Sequence, residues 1–481
     1  MPCLLVLVLL WGCATAPRPG SAQPRVLSND VFPSGMRLVV REDSRAKLMT
    51  MYVSYRAGAT DEPEGKEGVA ELAARLSLRA RHGGAGTPTL EERLVAADVT
   101  PRSTVTYDDT ELWSSLSPER LARAAALEAQ RMADPLAHVT EEDFRQVRAQ
   151  QLDELWVSQE SMDKGPSRRW LHEKLLAGHV YGRPAQGTPE SLDRLTLEDV
   201  RAFVKANYTP AHAVLVVSGP LPLEEAKSEV ARSLAGLMGV GTGAPASPVQ
   251  HAPPPAPADL PESAPPVVMH GAVRAPQLHF LLTVPGRYSG RYAESLVARE
   301  VLKRWLDLSL GLDSLSFRRT ATVTYQELDG LTLLHCSVVL RSGMPERMAL
   351  HHVSSLLSSL EVFANGITES LREPVNGPRR IYQRKYNAPM PFRSYTEGWV
   401  RATLNKELEL QERTVSAMDI ARVVRATGRV DLGGIREEQV ARALTEGVVP
   451  SYLEQYVRAE RMRTLVILPE PGAAASPFMK P

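Results

Sequence analysis

Residues 179–219 read HVYGRPAQGTPESLDRLTLEDVRAFVKANYTPAHAVLVVSG. Residues 195–207 have the apolar spacing of a helix, which must stop before Pro210, because proline has no N–H to continue the ladder. The apolar run AVLVVS at 213–218 then reads as a buried strand. Working upstream, residues 140–159 form a long amphipathic helix, with Thr140 as N-cap and acids in its first turn. Residues 118–132 are another helix, ended before Pro135. Residues 103–116 are rich in Thr, Val and Tyr and read as a strand or strand pair, and 90–97 as a helix.

Residues 68–79, GVAELAARLSLR, sit nearer the start. Glu71 and Arg75 are four apart and share one helical face, while Val69, Leu72, Ala73 and Leu76 supply the apolar side. Taken locally, this is an amphipathic helix with an ion pair. Before it come a charged loop (62–68), a break at Ala57-Gly58-Ala59, a strand (49–55), and a Pro33-Ser34-Gly35 turn entering a strand within 31–40.

Downstream, a helix at 222–237 precedes a change of character. Residues 239–266 are rich in Pro, Ala and Gly, including Pro253-Pro254-Pro255, and read as an extended linker. Beyond it the order repeats. A strand (277–284) and helix (292–308) lead to a strand pair (322–326 and 331–340). Helices follow at 345–363, 404–424 and 437–461, and a last strand at 464–468. The fold class is therefore α+β, in two similar halves joined by a Pro-rich linker. The expected domains are 28–238 and 267–470, with a tail at 471–481.

The 481 residues suggest roughly two to four domains as a prior. Lys+Arg 56 balances Asp+Glu 56, which gives no argument for a nucleic-acid partner. Residues 4–11 are apolar but too short to span a bilayer as a helix. They end in Leu10-Trp11-Gly12-Cys13-Ala14, which resembles a bacterial lipobox, although no Lys or Arg precedes it. The expectation is a signal over 1–13 and a lipidated Cys13, with an ordinary cleaved signal as the alternative. Residues 14–27 would be a tether, and the protein would lie in the cell envelope, on the outer membrane facing the periplasm. Of three cysteines, Cys3 lies in the signal and Cys336 in an apolar stretch. The mature domains thus have no disulfide between their own cysteines and no cysteine metal cluster.

The segment 179–219 resembles, nearly residue for residue, a segment of the insulinase/pitrilysin family, which includes the mitochondrial processing peptidases. Residues 34–83 and 140–155 resemble the motif region and the long helix of that family. Residues 275–286 and 315–325 look like its C-terminal half. The resemblance implies two α+β halves around a cavity and, in active members, a zinc peptidase with an inverted H-x-x-E-H motif. There two His one turn apart grip Zn²⁺, the Glu is the general base, and a later Glu is the third ligand.

Aligning Gly68-Val69-Ala70 with that motif places Glu71 and Arg75 at the two His positions and Ala74 at the base. Glu154 falls on the third ligand and Val147 on the helix's other acidic position. Arg75 has no lone pair to give a metal and Ala74 accepts no proton. The expectation is that no catalytic set is intact and no cofactor is bound, and that a Glu71–Arg75–Glu154 cluster fills the place of the metal. The resemblance also aligns Arg318 and Tyr325 with an Arg and a Tyr that metal-free subunits lend to a partner's site. They would bind a peptide backbone and polarise its carbonyl. The bland reading of Arg318 is an exposed Arg on a strand. His172-Glu173 with His179, and His351-His352, lack the spacing of a metal pair. Residues 83–86 read as a flexible loop.

These observations imply a homologue that is not an enzyme on its own. It would be a partner subunit of a zinc-binding peptidase, or a homodimer, acting on peptides and held to a membrane by its lipid. One alternative is a stand-alone peptide-binding or scaffold protein of the envelope. A third reading is an active zinc metallopeptidase with unusual ligands.

Overall fold

The computed structural model describes residues 27–160, 168–238, 265–271, 273–312, 317–372, 393–414, 416–428 and 437–470. Cys13, residues 14–26 of the expected tether, most of the Pro-rich linker and the tail lie outside these residues, while Leu27, expected to end the tether, opens the first strand.

The first half runs β1 (Leu27–Val31), β2 (Arg37–Glu42), β3 (Met49–Tyr55), α1 (Val69–Leu78), α2 (Leu90–Val95), β4 (Thr100–Val105) and β5 (Thr110–Leu116). It continues with α3 (Leu121–Ala133), α4 (Glu141–Glu160), α5 (Arg168–Leu175), α6 (Pro189–Arg194), α7 (Leu197–Asn207), β6 (Ala213–Gly219) and α8 (Leu223–Met238). The second half runs β7 (Val267–Gly271), β8 (Gln277–Pro285), α9 (Tyr292–Leu312), β9 (Phe317–Glu327), β10 (Leu331–Leu340) and α10 (Glu346–Arg372). It ends with α11 (Arg393–Thr414), α12 (Ala417–Thr427), α13 (Glu437–Ala443), α14 (Val448–Tyr456) and β11 (Arg463–Pro469).

Local chemistry sets the boundaries. Thr196 Oγ1 accepts the Asp199 N–H while the Asp199 carboxylate accepts from the Thr196 N–H, a capping box that starts α7. Ser416 and Asp419 do the same for α12. That box is why the apolar pattern over 404–424 resolves into α11 and α12 rather than one helix.

The first sheet has the order β1-β2-β6-β3-β5-β4 and the second β7-β11-β8-β10-β9. β2 runs parallel to β6, and β7 runs parallel to β11; β3 and β8 are antiparallel to those same neighbours. The second sheet therefore repeats the first without β1, and the repeated order read from sequence holds at the level of topology.

Strand side chains alternate between faces. Leu38, Val40, Leu215 and Val217 enter a core with α1, α3, α4, α7 and α8, while Val39, Val214 and Val216 point to the other face. That face is covered by Ala417, Ile420, Ala421 and Val424 of α12, which belongs to the second half. The exchange is reciprocal. Leu171, Leu175 and Leu176, in and just after α5 of the first half, pack on Leu281, Leu333, Leu465 and Ile467 of the second sheet. Both sheets are thus buried on both faces, so their central strands are continuously apolar.

Candidate functional site

The helix α1 is held at its start by two devices. Gly68 takes φ +96°, and a Cβ there would lie 2.7 Å from Leu192 Cδ2 and 3.0 Å from the Gln186 carbonyl oxygen. Only glycine fits this left-handed, crowded position. The buried Glu62 carboxylate accepts the Gly68 N–H at 3.0 Å and the Ala70 N–H at 2.9 Å. It occupies the positive end of the helix, whose first N–H groups have no partner within the helix. Burial holds its pKa well above the usual carboxylate range, and those two N–H donors oppose the shift.

One face of α1 buries Leu72, Ala73 and Leu76 completely. Glu71 and Arg75 project from another face toward α4. Arg75 Nε donates to Glu71 Oε1 at 2.7 Å, and its two terminal nitrogens donate to the Glu154 carboxylate at 2.8 and 2.6 Å. The guanidinium is thus bidentate to α4 and singly bound to its own helix, a strong charge-assisted geometry. Ala74, one residue before Arg75, is fully buried and offers no polar atom. Val147, two turns before Glu154 on α4, is buried in the core.

The electrostatics follow from exposure. The Glu71 side chain is 9% exposed, Arg75 22% and Glu154 58%. Burial raises the Glu71 pKa, and Arg75 pulls against it. The hydrogen bond from Arg75 holds Glu154 below the usual carboxylate range, and the same bond raises the Arg75 pKa. The cluster carries two carboxylates and one cation. Its Glu71 arm is a buried pair, costly to break, whereas the Glu154 arm is near solvent and weak.

This donor set does not fit Zn²⁺. The guanidinium sits between the carboxylates, stays protonated and has no lone pair, and its charge repels a metal cation. Ala74 leaves no general base to deprotonate a water. Among the described residues, no cluster of three or more His, Cys, Asp or Glu side chains is arranged to hold a metal.

Among the described side chains, the other residues singled out from sequence make their contacts elsewhere. Tyr325 on β9 is 42% exposed, and its ring lies under the Arg299 guanidinium of α9, 4.6 Å away. It pairs with Leu334, whose side chain faces the α9 core. Arg318 lies on β9, and its side chain lies outside the described residues. His172 binds the Tyr181 carbonyl oxygen through Nδ1 at 2.9 Å and Gln326 Oε1 through Nε2 at 3.0 Å, and it stacks on Tyr107. His179 Nδ1 accepts the Tyr181 N–H. Both histidines therefore organise the 172–184 segment. His351 and His352 lie side by side on α10. Cys336 is buried, and burial raises its pKa.

Two features escape the sequence reading. Glu62 sits in what reads as a charged loop, and its only signal is a carboxylate six residues before a Gly that starts a helix. The second is a cluster of charges between the halves, with Asp108, Asp109 and Arg425 at its centre. Its members lie far apart in the chain and show no local pattern.

A family model described as the peptidase M16 inactive domain matches residues 194–329. Coenzyme PQQ synthesis protein F of Pseudomonas aeruginosa is 28% identical over 225 residues, covering 44% of this chain and 28% of that protein. The match therefore spans less than a third of that relative's length. A protease from Helicobacter pylori has a similar structure (TM-score 0.68, 14% identity, 92% of this chain and 100% of that one). So does a peptidase M16 inactive domain from Pseudomonas fluorescens (TM-score 0.66, 16% identity, 94% and 100%). The periplasmic protease PqqL from Escherichia coli matches with TM-score 0.67 at 13% identity, over 95% of this chain and 50% of that one. At such identities the structural likeness establishes the fold.

Proposed function

We propose that this chain is an inactive-type member of the insulinase/pitrilysin (M16) peptidase family with a degenerate metal motif, and that it is a non-catalytic subunit serving an active zinc-binding homologue; the family-model match over residues 194–329 supports this reading. The observation that carries this reading is the Arg75 guanidinium, hydrogen-bonded to Glu71 and Glu154, the positions that the sequence resemblance aligns with the zinc ligands. A cation fixed in that place, beside an alanine at the general-base position, removes both functions that zinc-assisted peptide hydrolysis needs.

The role left to such a subunit is to hold substrate. Strand β4 is an edge of the first sheet beside α1, and its residues alternate exposed and half-buried. An extended peptide can pair with such an edge through main-chain hydrogen bonds. In this reading Arg318 and Tyr325 contact the peptide or the partner, and a lipidated Cys13 keeps the pair at the outer membrane facing the periplasm. The same edge strand also suits the second reading, a stand-alone peptide-binding envelope protein.

The test is to purify the full chain alone and together with a neighbouring-gene homologue that has an intact H-x-x-E-H. The expected result is a stable complex whose cleavage of unstructured peptides exceeds that of the homologue alone. Failure to co-purify, with no change in the homologue's activity, would overturn the partner role. In that case, peptide binding by the isolated chain would support the stand-alone reading.

A further inference from the structure

The two halves meet at a buried charge cluster built by two hairpin turns and one helix. The β4–β5 turn supplies Asp108 and Asp109, with Glu111 just inside β5. The β9–β10 turn supplies Asp329, and α12 supplies Arg422 and Arg425. Arg425 is bidentate to Asp329 at 2.8 and 2.9 Å and also lies 2.9 Å from Asp109. Arg422 donates to Glu111 at 2.7 Å. Asp108 Oδ2 accepts the Asp329 N–H at 2.9 Å, and Oδ1 accepts the Tyr181 hydroxyl at 2.8 Å. Every one of these contacts, except those of Arg425 with Asp329 and of Tyr181 with Asp108, joins the first half to the second.

The cluster is short of positive charge. Four carboxylates face two guanidiniums, and both guanidiniums are engaged with the other three acids. Among the described residues, the Asp108 carboxylate forms no ion pair and has the Tyr181 hydroxyl and the Asp329 N–H as its donors. A further cation, Arg287 on the β8–α9 loop, is paired with Glu327 at 3.1 Å and lies 3.6 Å from Asp419. Tyr288 on the same loop is half-buried near the arginines, and His172 of α5 stacks on the adjacent Tyr107. Burying an unpaired carboxylate is costly, and a proton removes that cost.

We infer that Asp108 is a proton-dependent latch between the halves, protonated when α12 is seated on the first sheet and ionised when the turns separate. This inference goes beyond the proposed function and holds whether or not a partner exists. Burial, followed by repulsion from Asp329, raises the Asp108 pKa from 3.8 to about 7. A carboxyl whose pKa is raised in the closed state favours closure fully below its solvated pKa. That preference is lost as pH rises through the raised value. Latch opening should therefore increase on going from mildly acidic to mildly alkaline pH and level off above neutrality.

Hydrogen exchange of the full-length chain between pH 5 and 8.5, corrected for the intrinsic pH dependence of amide exchange, reads this opening at the amides of α12. The expected change is an increase in the opening constant on the order of 80-fold from pH 5 to pH 8. Protection of the core strands β3 and β8 should not follow it. Asp108→Asn should hold α12 protected across the range. Tyr181→Phe removes a donor to the carboxylate and should move the rise to higher pH, which tests the latch even if Asp108→Asn folds poorly. Protection of α12 that is independent of pH in the wild type would overturn the latch. So would an Asp108→Asn variant that tracks the wild type, an unmoved midpoint in Tyr181→Phe, or simultaneous loss of protection in β3 and β8.

Discussion

Replacing Arg75 by methionine keeps an unbranched apolar stem and removes the charge that joins α1 to α4. Glu71 is then a carboxylate on a side chain 9% exposed, with its cation gone. Removing one partner of a fully buried pair costs about 3–5 kcal/mol. Arg75 itself reaches solvent and the Glu154 arm is screened, so the expected loss at pH 7.5 is lower, about 2–3 kcal/mol. Glu154→Ala should cost about 0.5 kcal/mol, the value of an exposed pair. The pH dependence gives a second readout. Burial already raises the Glu71 pKa against the pull of Arg75, so without Arg75 it rises further. Protonation of Glu71 then relieves the variant as pH falls, and its deficit should be smaller at pH 5 than at pH 8. Glu71→Gln combined with Arg75→Met should recover most of the loss. Urea unfolding followed by circular dichroism, with hydrogen exchange at α1, measures these differences. A cost below about 0.5 kcal/mol would rule out a partly buried pair at Glu71, since it is no more than an exposed pair is worth. A deficit that grows as pH falls, or a Glu154→Ala variant as unstable as Arg75→Met, would refute it too.

Glu62→Ala strips two N–H groups at the start of α1 of their acceptor and should cost about 1–3 kcal/mol, read as a lowered thermal midpoint. Gly68→Ala forces a Cβ against Leu192 and the Gln186 carbonyl at positive φ and should cost about 1–3 kcal/mol. Gly65→Ala, also at positive φ but in open space, should cost less in the same assay. Ile420→Ala hollows the α12 contact with the first sheet and should cost about 2–5 kcal/mol, with exchange rising first in α12.

Sequence patterns exposed most of the fold, because strands such as residues 213–218 and helices such as the one read at 195–207, which starts at Leu197 after the Thr196 cap, declare themselves by local periodicity. The doubled order of strands and helices was also visible, and the two sheets have matching topology. What stayed hidden depends on distant partners. α5 is short and highly charged, and its buried face becomes apparent only when Leu171 and Leu175 meet the second sheet. α12 reads as the end of a longer helix until the Ser416–Asp419 cap and its seat on the first sheet separate it. β1 and β7 are edge strands with little burial to mark them. At the site, the Glu71–Arg75 spacing was legible as one helical face. The reach of Glu154 across from α4 followed only from the family resemblance. Asp108, Asp109 and Asp329 sit in turns, where acids are ordinarily solvated, so nothing in the sequence marks Asp109 as buried or Asp108 and Asp329 as half-buried between the halves.

On the proposed function, Arg75 stands in the place of a metal and catalysis comes from a partner. The most direct measurement is the zinc content and peptidase activity of the purified full-length chain, alone and combined with an H-x-x-E-H homologue. The chain alone should carry no stoichiometric zinc and show no chelator-sensitive cleavage. The combined sample should hold one zinc per homologue and show raised cleavage. About one zinc per isolated chain, lost on Glu154→Ala together with a peptidase activity, would contradict the proposed function.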